Sequence, residues 1–367
     1  MSVSESATMA SSITNDKIPP DLARFLNSGA FYRLSPDRFR LYWGPWKPLA
    51  DGALEGFHLA FQEFFASELK SFQATEVREF SRGDLIRFLE PGLGTGTQWV
   101  QAGFQEPDKA AFEVGFQIIQ GKIQRGEIEK AVPIAVARSS AKPLNEDVLG
   151  GMLKMLSLPI DLHAYGYWHE GRGLLGATPE VLFHRKSMVV QTMALAGSMP
   201  KEDAATRTPL LKDPKEMREH ELVINDLMAR LKPLGWLKKH DTEVLELPTL
   251  FHLKTKFEVS GCAKRDPELV RLLHPTPALG VAPRAYGFQW LRELPDQKDR
   301  GLFGAPILFS LSNDETLALV AIRSILWDEN GSRVPSGCGL VATSELEREW
   351  HELAVKRRTL FSLLGLP

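Results

Sequence analysis

Two short stretches of this chain carry the residues best suited to do chemistry. The stretch SELEREWHELAVK, Ser344 to Lys356, sets Glu349, Glu352 and Lys356 at i, i+3 and i+7, within about a 60° arc of one helix face. The stretch KEMREH sets Glu216 and Glu219 at i and i+3. Like charges at that spacing repel weakly on a free helix, so two such pairs favour a compensating cation. Hard carboxylate oxygens suit Mg²⁺, which takes a few carboxylates and keeps places for water and substrate. A solvated acidic face is the competing reading. Against it, Glu219 is followed by His220, Leu222 and Val223, and Glu349 and Glu352 flank Trp350 and Leu353.

Other residues have two readings each. Lys130 ends the polar run GEIEK just before the apolar AVPIAV. A lysine at such a border can be desolvated and act as a base; taken alone, a snorkelling surface lysine is the simpler reading. Arg323 in VAIRS is a cation within an apolar strand-like run, and a buried guanidinium needs a carboxylate from the protein or a ligand. The glycines of GCG, Gly337 to Gly339, allow backbone N–H groups close to a ligand, or form a plain turn. His252 in FHLKT reads first as a core histidine, and Glu180 in GATPE is a turn carboxylate that says little alone. GLGTG at 92–96 lacks a following G-K-[ST] and reads as an ordinary turn.

The elements that must position these groups alternate irregularly. A helix is expected from about Asp108 to Arg125, with Ala111, Val114, Ile118 and Ile119 on its apolar face. A buried strand is expected over Ala131–Ser139, followed by three strand-like runs, LHAYGYWHE, LLGATPEVLFHR and SMVVQTMALAG. Residues 199–213 read as a loop and Lys215–Lys232 as an amphipathic helix. Short strands around 242–261 precede a helical PELVRLLHP, ended by Pro275 and Pro277. Further strands lead to a closing helix, Glu345–Leu364. This order predicts an α+β fold with large, mainly antiparallel sheets and helices outside, as a single domain over residues 21–367.

Composition narrows the partners. With 367 residues, 43% hydrophobic and 25% charged, and a net charge of −2, the chain has globular composition and no basic footprint for nucleic acid. Its 2 cysteines, Cys262 and Cys338, are too few for a disulfide framework or a thiolate zinc site. Residues 1–20 are Ser/Thr-rich without an apolar centre and are expected to form a flexible tail rather than a signal peptide. No apolar run is long enough to span a membrane, so a soluble, cytoplasmic protein is expected, with monomer as the default.

Taken in order, the segments EKAVP, GATPEVLF, ALAGS, KEMREHELV, FHLKT, LHPTPALG, RGLFGAP, VAIRS, GCGLV and SELEREWHELAVK resemble the chorismate-utilising enzymes. That family includes isochorismate synthases, salicylate synthases and the large subunits of anthranilate and aminodeoxychorismate synthase. The resemblance covers about residues 115–364; residues 1–110 match loosely. It implies one α+β domain with two large, mainly antiparallel sheets flanked by helices, chorismate as substrate and Mg²⁺ as cofactor. Glu219 and Glu352 match the core metal ligands, and Glu216 and Glu349 their acidic neighbours. Arg323, the backbone around Gly337, and Lys356 match the clamp on the enolpyruvyl carboxylate, and His252 lines the ring.

Lys130 is the deciding position in the resemblance. Members that add ammonia carry glutamine there, and members that add water carry lysine, because water needs a base and ammonia does not. The resemblance therefore implies that Lys130 activates water for attack at C2, that Glu180 protonates the departing C4 hydroxyl, and that isochorismate is formed for menaquinone or siderophore synthesis. No amidotransferase partner is expected. The chain departs from the family in three places. Phe303 stands where many members have tyrosine, Ser198 replaces threonine, and GVAPR replaces G-G-x-P-R. Ala278 sits where salicylate synthases prefer threonine, which favours stopping at isochorismate. Salicylate synthase, an ammonia-using synthase and an inactive regulatory homologue are the alternatives.

Overall fold

A computed structural model describes residues 18–49, 57–94, 103–205, 208–366. Most of the expected tail and part of the GLGTG turn lie outside the described residues. Seven helices are described: α1 (Pro20–Asn27), α2 (Arg82–Leu89), α3 (Lys109–Gln124), α4 (Asn145–Met155), α5 (Pro214–Leu231), α6 (Asp266–Leu273) and α7 (Leu346–Leu364).

Two antiparallel sheets form the frame. The first has 8 strands, in the order Glu76–Ser81, Arg38–Trp43, Ser28–Ser35, His163–His169, Arg172–Thr178, Ser324–Asp328, Gly331–Gly337 and Ile134–Ser139. The second has 9, in the order Trp236–Glu246, Leu250–Ser260, Val189–Pro200, Val181–Lys186, Glu315–Val320, Pro306–Ser312, His58–Phe61, Lys70–Gln73 and Lys47–Pro48. A small third ladder pairs Lys130–Ala131 with Val281–Ala282.

Strand alternation explains why the first sheet reads as continuous apolar runs. Ala30, Tyr32, Tyr42, Tyr165, Leu174 and Leu326 face the core shared with the second sheet. Their neighbours Phe31, Leu41, Trp168, Leu175 and Ile325 face a separate core beneath α1, α2, α4 and α7. Successive side chains point to opposite faces, so a sheet covered on both sides is apolar at every position. Helices α5 and α6 pack through Val223, Leu227, Leu231, Leu269 and Leu273 beside Val190 and Phe257 of the second sheet. Each fully buried aliphatic or aromatic side chain contributes roughly 1.5–3 kcal/mol.

Several expectations are corrected. Helix α3 buries Phe112, Gly115 and Ile119, while Val114 and Ile118 are exposed. The expected strand over 131–139 is broken: Lys130–Ala131 belongs to the small ladder and Ile134–Ser139 to the first sheet. Pro133 between them has no N–H to extend a ladder. The short strands around 242–261 are two long ones, Trp236–Glu246 and Leu250–Ser260. The loop of 199–213 starts only after Pro200, where the preceding strand ends. Arg323 lies between two strands rather than inside one.

Candidate active site

The acidic residues of α5 and α7 do meet. Asp213 caps α5, its Oδ1 accepting from the N–H groups of Lys215 (3.0 Å) and Glu216 (3.2 Å), and Pro214 takes the first helical position. That cap fixes the turn carrying Glu216 and Glu219. A bulge in the strand Val189–Pro200 supplies the next contact. Pairing with the neighbouring strand slips between Ala196 and Ser198, and Gly197 adopts φ +76°. A Cβ there would stand 2.8 Å from the carbonyl oxygen of Glu216, so glycine allows strand and helix to touch. Ser198 beyond the bulge donates its N–H to Glu216 Oε2 (2.9 Å) and its hydroxyl to Glu352 Oε1 (2.8 Å).

At the centre stands a cation that the sequence reading did not single out. Lys215 Nζ lies 3.3 Å from Glu216, 3.4 Å from Glu219 and 3.0 Å from Glu349. Burial alone would depress this ammonium, but the surrounding carboxylates outweigh it and raise its pKa well above the ordinary lysine range. Four buried carboxylates gathered about one positive charge fit a divalent cation. Among the described residues, however, no three potential ligands are drawn close enough to hold an ion. An ammonium accounts for this: it keeps its oxygens near 3 Å, whereas Mg²⁺ demands about 2.1 Å.

The carboxylates divide by environment. Burial pushes Glu216 up to about 8, with Lys215 opposing and the other carboxylates adding to the rise. Glu349 is raised by burial against the pull of Lys215. For Glu352, burial is outweighed by Lys356 and Lys215, which hold it at about 2. Glu219 is also buried, but Lys130 and Lys215 keep it below the usual range.

Lys130 is fully buried, and its Nζ lies 3.0 Å from Glu219 Oε1. It stands behind Gly339, where an added Cβ would come within 2.1 Å of Glu219 Oε1 and 2.6 Å of Lys130 Cε. Gly339 is thus the position that lets Lys130, the acid cluster and the backbone converge. The GCG motif was the sequence signal, but only Gly337 was assigned from it.

A cavity opens beside this cluster. Its walls include Glu180, Ser198, Glu219, His252, Ala278, Phe303, Arg323, Gly337, Gly339 and Lys356. Of the thirteen assigned residues, Lys130, Glu216, Glu349 and Glu352 are not on its wall. They stand behind it: Lys130 meets Glu219, Glu216 meets Ser198, Glu352 meets Ser198 and Lys356, and Glu349 is linked to Glu219 through Lys215. Burial raises the Glu180 carboxyl to about 8, against Lys130 and Lys356. Lys356 Nζ donates to the Gly337 carbonyl (2.8 Å) and to Glu352 (2.6 Å). Arg323, at φ +52°, holds a backbone conformation that costs a non-glycine residue about 1–3 kcal/mol. Its Nη2 lies 3.2 Å from His252 Nε2, and burial followed by the charges of Arg323 and Lys356 keeps His252 neutral. The expected carboxylate partner of Arg323 is not within ion-pair distance among the described residues.

Fold and cavity together define an α+β protein with a buried, densely charged pocket between its sheets and helices α5 and α7. The chain belongs to the chorismate binding enzyme family, whose sequence model matches residues 94–365. It is 29% identical over 304 residues to the isochorismate synthase MenF of Bacillus subtilis, covering 80% of this chain and 63% of that protein. It is 33% identical over 206 residues to the isochorismate synthase EntC of Escherichia coli, covering 54% of this chain and 52% of that one. The chain thus spans less than two thirds of the length of these relatives. The menaquinone-specific isochorismate synthase MenF from Escherichia coli shares the fold, with a TM-score of 0.74 at 22% identity over 95% of this chain and 92% of that one.

Proposed function

We propose that this chain is an isochorismate synthase, converting chorismate to isochorismate with Mg²⁺. The observation that carries the reading is a buried lysine and a protonatable carboxyl at one cavity: Lys130, wholly buried behind its wall against Glu219, and Glu180 on the wall, raised to about 8 and so able to hold a proton at neutral pH. Lys130 takes a proton from water as the water oxygen bonds to C2. The ring double bonds move, the bond from C4 to its hydroxyl breaks, and Glu180 delivers the proton with which that hydroxyl leaves as water. One water is added and one lost, so no redox partner is needed.

Arg323, with no carboxylate within ion-pair distance among the described residues, and Lys356, beside the Gly337 carbonyl, would take the enolpyruvyl carboxylate. Glu219 and Glu352, with Glu216 and Glu349, would hold Mg²⁺, which when bound neutralises the ring carboxylate and draws electron density from the ring. Phe303 and Ala278 contribute apolar wall only. The names of the relatives support the hydration reading, and Lys130 argues against use of ammonia.

The test is purified protein with chorismate, with and without Mg²⁺, followed by proton NMR. Isochorismate approaching an equilibrium mixture only with Mg²⁺ is expected, and Lys130→Gln should reduce hydration at least ~100-fold while substrate still binds. Salicylate with pyruvate would assign the lyase branch instead; an amino product formed only with ammonia would overturn the role of Lys130.

A further inference from the structure

Arg300 is fully buried, and among the described residues it forms no ion pair. Burial lowers its pKa to about 9, which leaves it charged at neutral pH. A buried cation without a counterion is costly unless its donors are well used. Here they are. The guanidinium donates to the carbonyls of Val132 and Leu279 (3.1 Å to the latter) and to Gln297 Oε1 (2.9 Å). It lies over the Phe64 ring, 4.0 Å from the centroid. Gln297, itself fully buried, passes the contact on, its amide donating to the Ile134 carbonyl (3.3 Å).

These partners lie at the end of the small ladder that carries Lys130. Lys130 is opposite Ala282 and Ala131 opposite Val281. The ladder continues through the Val132 N–H to the Gly280 carbonyl (3.0 Å) and stops at Pro133. The Val132 carbonyl receives no return bond there, because the Gly280 N–H donates to the Thr276 carbonyl (2.8 Å). Arg300 bridges the two chains at that point, one carbonyl from each, and both Val132 and Leu279 line the cavity.

We propose that Arg300 is a positioning residue: its guanidinium supplies the Val132 carbonyl with the bond that the Gly280 N–H does not return, and so fixes the strand that carries Lys130. The planar fork suits two divergent carbonyls, which an ammonium satisfies less well. Arg300 would therefore act on turnover more than on substrate binding.

The test has two arms on the full chain, with R300M and R300K. The first is amide hydrogen exchange, which needs no catalysis. In R300M, the amides of Ala131 and Val132 are expected to exchange at least ~10-fold faster while the first sheet keeps its protection, and R300K should lie between. Unchanged protection at Ala131 and Val132 would overturn the proposal, as would an equal rise throughout the protein. The second arm is kinetic and rests on the function proposed above. In R300M, kcat per folded molecule should fall on the order of 100-fold, with KM for chorismate within about threefold and partial recovery in R300K. A kcat at the wild-type level, or a KM rising as far as kcat falls, would overturn it. A wild-type chain inert toward chorismate would defeat the functional reading alone, and the exchange arm would still decide the role of Arg300.

Discussion

Glu180 follows the expected strand turn GATPE, yet the structure buries it to 3% exposure and sets two lysines near it. Its raised pKa has two consequences. In the proposed reaction it must be protonated to act, so turnover should fall as pH rises through about 8, and E180Q should abolish turnover at every pH while chorismate remains bound. For stability, the folded carboxyl holds a proton that the unfolded chain releases in the usual carboxylate range. Its stabilisation is complete at low pH and is lost as pH rises toward about 8. Urea unfolding of wild type and E180Q across pH 5 to 8.5 checks the sign: the wild-type stability should decline relative to that of the variant. A constant difference would show that Glu180 ionises normally.

Among the elements, the turn after Gly331–Gly337 and the N-terminal halves of α5 and α7 build the cluster, and Gly339 sets their separation. G339A should drive a methyl group into Glu219 and Lys130, lowering turnover at least ~100-fold and the melting temperature by a few degrees. Steady-state rates and calorimetry on the folded variant would show this, and full activity would mean that the loop yields freely. Helix and strand periodicity made much of this frame legible. The carboxylate spacings placed Glu216 and Glu219, and Glu349 and Glu352, on correct faces because helical geometry alone fixes them. Helix α3 was misread because Val114 and Ile118 are apolar but outward, while glycine at 115 fills its buried face. Helix α4 went unseen because NEDVLGGMLKM has glycines at its centre. Lys215 escaped notice because a lysine one residue from a glutamate reads as surface charge; only two converging helices make it central. Arg323 was read into a strand because nothing local announces a left-handed residue other than glycine.

At the scale of the whole molecule, the sheet pairings among the described residues are all antiparallel, but many join distant segments, such as Ser28–Ser35 with His163–His169. Such order cannot be read from periodicity, since alternation names a face and not a neighbour. No described helix is long and apolar enough to cross a membrane. A cation that binds the folded chain and not the unfolded one stabilises the fold by mass action. Saturating Mg²⁺ should therefore raise the melting temperature by several degrees, about 2.7 kcal/mol of stability at a hundredfold excess over Kd. EDTA should reverse the rise. An unchanged melting temperature would show that α5 and α7 do not hold the ion.

Lys215 gives that uptake a particular character. Lys215 already neutralises part of the charge of Glu216, Glu219 and Glu349, so Mg²⁺ held as proposed would enter by displacing a tethered ammonium, and its affinity would be a difference between the two. In that proposal the metal-free chain would be a resting form whose carboxylates keep a cation among them. Its occupancy would follow the free ion concentration around it, with a threshold set by the reach and grip of a single lysine side chain.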